Sequence, residues 1–189
     1  MMCGPGARMR RVTSPRRPVL DPLSIVALDT ERHVAGAGWD QPPRLFALVR
    51  TATLVQREPQ LLTRLSIADQ APDALTAIEQ EGLHQSSSLE SILGRIAWPP
   101  DVDGCAFVVE RVVVPPDAER DLPSDSDAAV EALARHPDRQ DVRLLAAVLR
   151  DGTSVCLIRQ RAHDADDAVA TGTDLAPGLV AALRATFDD

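Results

Sequence analysis

The 189-residue chain carries 28 acids against 20 arginines, contains no lysine, asparagine or tyrosine, and has a formal charge of −8. With 44% apolar and 25% charged residues it has a globular composition, and apolar runs such as Leu144–Leu149 fall far short of the roughly 20 residues needed to span a bilayer. The missing ammonium excludes Schiff-base and pyridoxal phosphate chemistry and a Walker-type P-loop, which arginine cannot serve.

Residues 1–19 hold five arginines (Arg8, Arg10, Arg11, Arg16, Arg17), three prolines and no acid, and lack the apolar stretch of a secretory signal. They read as a disordered basic tail ahead of a single α+β domain over residues 20–189. Without the tail, 15 arginines face 28 acids, a formal charge of −13. A body this acidic repels a phosphate backbone, and five aromatic residues offer few stacking platforms, so nucleic-acid binding is not expected. Lysine-free, alanine- and arginine-rich composition indicates a high-GC bacterial source.

Asp21-Pro22 is a helix start, with Asp as N-cap and Pro in the first turn, and the helix runs from Leu23 to Ala35. A second helix is expected after Asp40-Gln41-Pro42-Pro43, because Leu45, Phe46, Leu48, Val49, Ala52 and Val55 form a wide apolar stripe at helical spacing. Pro59 breaks it, with a short continuation over Gln60–Leu65. Ala74–Gln80 alternates weakly and reads as an edge strand. Ser87 and Glu90 have capping-box spacing for a short helix ending near Ile96. Cys105–Val114, valine-rich and bounded by Gly104 and Pro115-Pro116, is the clearest strand and a central one. A flexible acidic loop over Pro115–Ser126, a helix over Asp127–Arg135 and a C-terminal helix over Asp174–Phe187 flank the segment that carries most of the ionic groups.

That segment is a β-hairpin over Asp141–Ala162. Its Asp151-Gly152 turn suits a two-residue type I′ loop, which pairs His163 with Gln140 and Arg161 with Val142. The resulting order is α-α-β-α-β-α-β-β-α, an α+β fold with about four mostly antiparallel strands packed against helices. At the hairpin's open end, His136, Asp138, Arg143, Arg159, Arg161, His163 and Asp164 are the candidate binding residues. Two imidazoles and a carboxylate can bind zinc or iron. The alternatives are a salt-bridged edge or an Arg-lined patch, with Arg159 and Arg161 on one face and Arg150 farther along, that takes carboxylates or phosphates. His136-Pro137-Asp138 matches the J-domain signature, but a strand follows it here instead of a helix. No catalytic residue, metal ligand set or cofactor motif is assigned: no G-x-S-x-G occurs, and Gly36-Ala37-Gly38 follows a helix. Cys105 and Cys156 lie in apolar strands, without CxxC pairing, and fit buried thiols of a reduced cytoplasm. Trp39 and Trp98, beside prolines at helix boundaries, are expected to plug the ends of the core.

Five segments together resemble a known family: Gly38-Trp39-Asp40-Gln41-Pro42-Pro43 through Val49; Trp98-Pro99 with Gly104-Cys105-Ala106; Val109-Glu110-Arg111; His136 through Arg143; and Asp174 through Leu179. The set, spanning roughly residues 20–186, resembles short actinobacterial proteins of unassigned function. The resemblance implies a functional link to a membrane-anchored PDZ-domain protease and no activity. The function expected from all this is a cytoplasmic, non-enzymatic adaptor or chaperone-like module that uses its sheet or an edge strand to hold another protein or a second copy. The alternative is a metal-dependent hydrolase or other enzyme built on His136, Asp138, His163 and Asp164.

Overall fold

The computed structural model describes residues 21–64, 71–81, 92–120, 123 and 125–188. The first helix, α1 (Pro22–Ala35), begins as its sequence dictates: Asp21 stays extended and accepts hydrogen bonds from Ser24 N at 3.0 Å and Ser24 Oγ at 2.6 Å. Next come β1 (Arg44–Arg50), α2 (Thr51–Arg57), a 3-10 turn (Pro59–Arg64) and β2 (Leu75–Gln80). The chain continues with β3 (Gly104–Val113), α3 (Pro116–Arg120), α4 (Ser126–Arg135), β4 (Gln140–Leu149), β5 (Ser154–Gln160), β6 (Ala170–Gly172) and α5 (Pro177–Ala185).

The fold is α+β, but its strand inventory differs from the expected four. Six strands form one sheet in the order β2-β1-β3-β4-β5-β6, with every neighbouring pair antiparallel. Two strands account for the difference. Arg44–Arg50, expected as helix, is β1, because Leu45, Ala47 and Val49 bury into one face of the sheet and Phe46 and Leu48 into the other. A run that is apolar on both faces has no period to separate strand from helix. The helix predicted there starts only at Thr51. β6 has three residues, too few to leave a pattern. The expected capping box at Ser87 and Glu90, and the basic tail, lie outside the described residues.

The hairpin is present, with its register moved by one residue. Leu149 N donates to Thr153 O at 2.8 Å, so the loop is the three residues Arg150–Gly152, with Gly152 in the left-handed region at φ 87°. Val142 therefore faces Gln160, and Arg143 faces Arg159.

Each face of the sheet carries its own core. On one, Leu23, Val26, Ala27 and Val34 of α1 cover Phe46, Leu48, Val108, Leu145 and Leu157. On the other, Leu179, Val180 and Leu183 of α5 cover Cys105, Phe107, Ala146 and Cys156. Side chains buried this fully contribute roughly 1.5–3 kcal/mol each for the larger apolar types. Trp98 closes the second core, stacked on Phe187 with ring centroids 6.2 Å apart and its indole N–H donated to Thr186 Oγ1 at 2.9 Å. Among the described residues no helix is long and apolar enough to cross a membrane.

Candidate functional site

The α1 face of the sheet is apolar until its last covered row, where Glu110, Arg143 and Arg159 lie side by side across β3, β4 and β5. Arg143 and Arg159 are buried, and so is Glu31 on α1. Burying a guanidinium requires a partner of opposite charge. For Arg159 that partner is Glu31, reached by Nε at 2.6 Å and Nη2 at 2.7 Å; Asp164 at 3.1 Å and Asp166 at 2.8 Å complete the set. The Arg159 guanidinium is held charged above its ordinary range, first by Glu31.

Arg143 donates from Nη2 to Glu110 Oε1 at 2.9 Å and to the carbonyl of Gly38, while its Nε and Nη1 are buried without a hydrogen-bond partner. Its cover is the loop after α1. Gly38 and Asp40 both take positive φ, at 84° and 65°, a conformation that aspartate tolerates better than most residues. The loop lays the Trp39 ring over Arg143, with the guanidinium carbon 4.4 Å from the ring centroid, and Arg161 stands 5.5 Å from the same ring. The indole N–H donates to Asp164 Oδ2 at 2.8 Å, Asp40 N to Glu110 Oε2 at 2.8 Å, and Arg161 pairs bidentately with Asp40 at 2.9 and 2.7 Å. The Trp39 N–H, followed by Arg159, holds the Asp164 carboxyl below its ordinary value; Arg159 does the same for Asp166, and Arg161 for Asp40.

These contacts bring four of the sequence-derived candidates together: Arg143, Arg159, Arg161 and Asp164. They form an intramolecular network that fastens α1 and the Trp39 loop to the sheet. Its outer end is a cleft of about 220 Å3 beside Trp39, Asp40, Glu110, Asp141 and Arg161. The remaining candidates are committed locally. Asp138 N donates to His136 Nδ1 at 3.1 Å, just past α4, and His163 Nδ1 lies 3.1 Å from Gln160 Oε1. Among the described residues no group of three His, Cys, Asp or Glu side chains is placed to hold a metal. The expected row of Arg150, Arg159 and Arg161 does not form on one face. Arg159 is buried, Arg161 follows β5 in a 3-10 turn, and Arg150 lies over Phe187 while donating to the carbonyls of Trp98, Pro99 and Val102.

A second feature lies at the opposite margin of the sheet. β2 is the edge strand, as expected, and its outer side pairs with no described strand. Ala74 O accepts from Thr51 N at 2.9 Å. Ladder alternation therefore turns Thr76, Ile78 and Gln80 toward β1 and leaves the N–H and C=O of Leu75, Ala77 and Glu79 facing outward. The side chains of these three line a groove of about 340 Å3 against α1, with Val26, Thr30 and Phe46 at its base and Asp29 and His33 along its rim. The other face of the same edge has a cleft of about 420 Å3 that includes Leu45, Leu54, Ile78 and Trp98. The groove residues escaped the sequence reading because reading β1 as a helix removed the strand that brings β2 beside α1. The alternation at Leu75, Ala77 and Glu79 was the available signal.

A six-stranded antiparallel sheet with an ion-locked helix on one face, and an edge strand whose outer side pairs with no described strand, places the protein among α+β folds. The chain belongs to the PPA1309-like protein family, which matches residues 23–188. No curated protein and no solved structure matches it.

Proposed function

We propose that the protein is a non-enzymatic protein-interaction module that captures an extended segment of a partner along β2. The observation supporting this reading is the coincidence, at one edge, of outward backbone groups at Leu75, Ala77 and Glu79 with an apolar-based groove on one face and a cleft on the other. Strand addition draws affinity from main-chain hydrogen bonds and selectivity from side-chain recesses on alternating faces. Both are available at β2. The ionic end of the sheet already uses its charges internally, which favours an anchoring role for it.

Two free buried cysteines are in keeping with a reducing cytoplasm, and the lysine-free composition with an actinobacterial source. The PDZ-domain protease implied by the family resemblance is one candidate partner.

Ala77→Pro tests the proposal, since it deletes an outward N–H and spares the bonds to β1. Loss of a host partner in co-purification, with the thermal melt retained, is the expected outcome. Capture that survives the substitution, or binding of a divalent metal with turnover of an ester or phosphoester, overturns it.

A further inference from the structure

We infer that the segment captured by β2 is basic at both ends and apolar in the middle. This rests on the strand-addition reading above and specifies the chemistry of its occupant. Both recesses at the centre of the edge carry apolar side chains, Val26, Phe46, Leu75 and Ala77 on one face and Leu45, Leu54 and Ile78 on the other, the second being lined also by the Arg57–Asp101 pair at 2.6 Å and by Arg95. The acids on the rim of the α1-side groove are already matched. Asp29 pairs with Arg32 at 3.0 Å and Glu79 with Arg44 at 2.5 Å. The ends of the strand differ: Asp73 precedes it and Glu81 follows it, both exposed, and neither forms a salt bridge with a described residue. Eight residue steps separate them, about 26 Å at strand rise. A partner strand therefore spans about nine residues, with a guanidinium or ammonium at each end and apolar side chains between. The formal charge of −13 on residues 21–189 attracts such a segment from a distance.

The same two acids argue against a second copy as occupant. Antiparallel self-pairing centred on Ala77 sets Asp73 of one chain opposite Glu81 of the other at both ends, and like charges directly opposed destabilise a ladder. Acidic edge residues of this kind are a recognised way to keep sheets from pairing with themselves.

The test uses the full chain and two labelled nonapeptides, Arg-Thr-Val-Ala-Val-Ala-Val-Thr-Arg and its twin with glutamate at both ends, read by fluorescence anisotropy. Basic groups at both ends make the result independent of strand orientation. The arginine peptide is expected to bind more tightly, by about tenfold. Asp73→Asn with Glu81→Gln is expected to weaken it about fivefold, as for two exposed charge pairs, and to flatten its salt dependence. Ala77→Pro, and Ala77→Arg, which fills the groove without altering the backbone, are expected to abolish binding while circular dichroism shows a folded protein. Equal affinity for the two peptides, with Ala77→Pro still abolishing binding, overturns the charge assignment and leaves the edge reading intact. Binding that ignores both Ala77 variants, or no binding of either peptide at millimolar concentration, overturns the edge reading itself. A dimer in sedimentation that Ala77→Pro dissociates would show the second copy to be the occupant and so refute this inference.

Discussion

Glu31→Gln keeps the size and shape of the side chain and removes the charge that faces Arg159. In the native protein the carboxylate, 2% exposed, receives two charge-assisted hydrogen bonds at 2.6 and 2.7 Å. The amide can accept one of them and turns an N–H toward the guanidinium at the other. Losing one hydrogen bond to a charged group costs roughly 1.5–3 kcal/mol, and breaking a buried ion pair on one side costs about 3–5 kcal/mol. Asp164 and Asp166 remain on Arg159, but their side chains are 46% and 58% exposed and so replace little of what is lost. The expected loss is about 3 kcal/mol, or 6–12 °C in Tm at about 2–4 °C per kcal/mol for a chain of this length. Urea unfolding followed by tryptophan fluorescence measures it directly, since Trp39 stands on the network. The double variant Glu31→Leu, Arg159→Met removes both charges from the interior and leaves Asp164 with the Trp39 N–H and water, and Asp166 with Arg32 and water. It is expected to be more stable than Glu31→Gln, because apolar replacement of a buried pair is often neutral. A single variant within about 0.5 kcal/mol of the parent, or a double variant below the single, would refute the reasoning.

Acid should loosen the same region. The folded-state values of Asp164 and Asp166 lie below the ordinary 3.8, so these groups contribute stability that is present above that value and lost as pH falls through the lower folded one. Urea midpoints measured from pH 6 to pH 2 should therefore fall most steeply below about pH 4, and Asp164→Asn with Asp166→Asn should flatten that limb. Burial pushes the Cys105 thiol up to about 12 and raises Cys156 as well; in a Cys3→Ser background, a thiol reagent at pH 8 should label neither in the native protein and both after unfolding. Gly104 is the close-approach position of β3, where a methyl group would stand 2.5 Å from the Val148 carbonyl oxygen. Gly104→Ala is expected to cost about 3 kcal/mol in the same denaturation assay, as backbone in the middle of a sheet cannot retreat.

What the sequence revealed follows from which residues act locally. Asp21-Pro22 caps α1 through its own side chain, and the valines between Gly104 and Pro115 need only a sheet around them, so both elements were legible. The Asp151-Gly152 turn was legible in place but not in length. Arg150 joins the loop as its side chain fastens the Trp98–Val102 segment, a contact invisible along the chain. That one-residue slip decides the chemistry of the hairpin, since it puts Arg143 and Arg159 opposite each other on the α1 face. Glu31, the residue that makes this placement tolerable, lies 128 positions from Arg159 and within a helix whose apolar spacing gave no reason to single it out. β1 and β6 were hidden for opposite reasons, one apolar on both faces and the other too short to show a period.

The ion pair also bears on the edge strand. Leu23, Val26, Ala27 and Val34 pack against the apolar sheet through non-directional contacts, whereas the Glu31–Arg159 pair is directional. Thr30 and His33, which line the β2 groove, sit within two residues of Glu31, so a shift of α1 on loss of the pair would carry both groove residues with it. If that coupling holds, Glu31→Leu with Arg159→Met should bind the arginine nonapeptide several-fold more weakly than the parent, although it is fully folded at the temperature of the assay. Hydrogen exchange along α1 should be faster in the same variant. Unchanged affinity would mean that packing alone positions α1, and that the buried ions stabilise this end of the sheet without shaping the other.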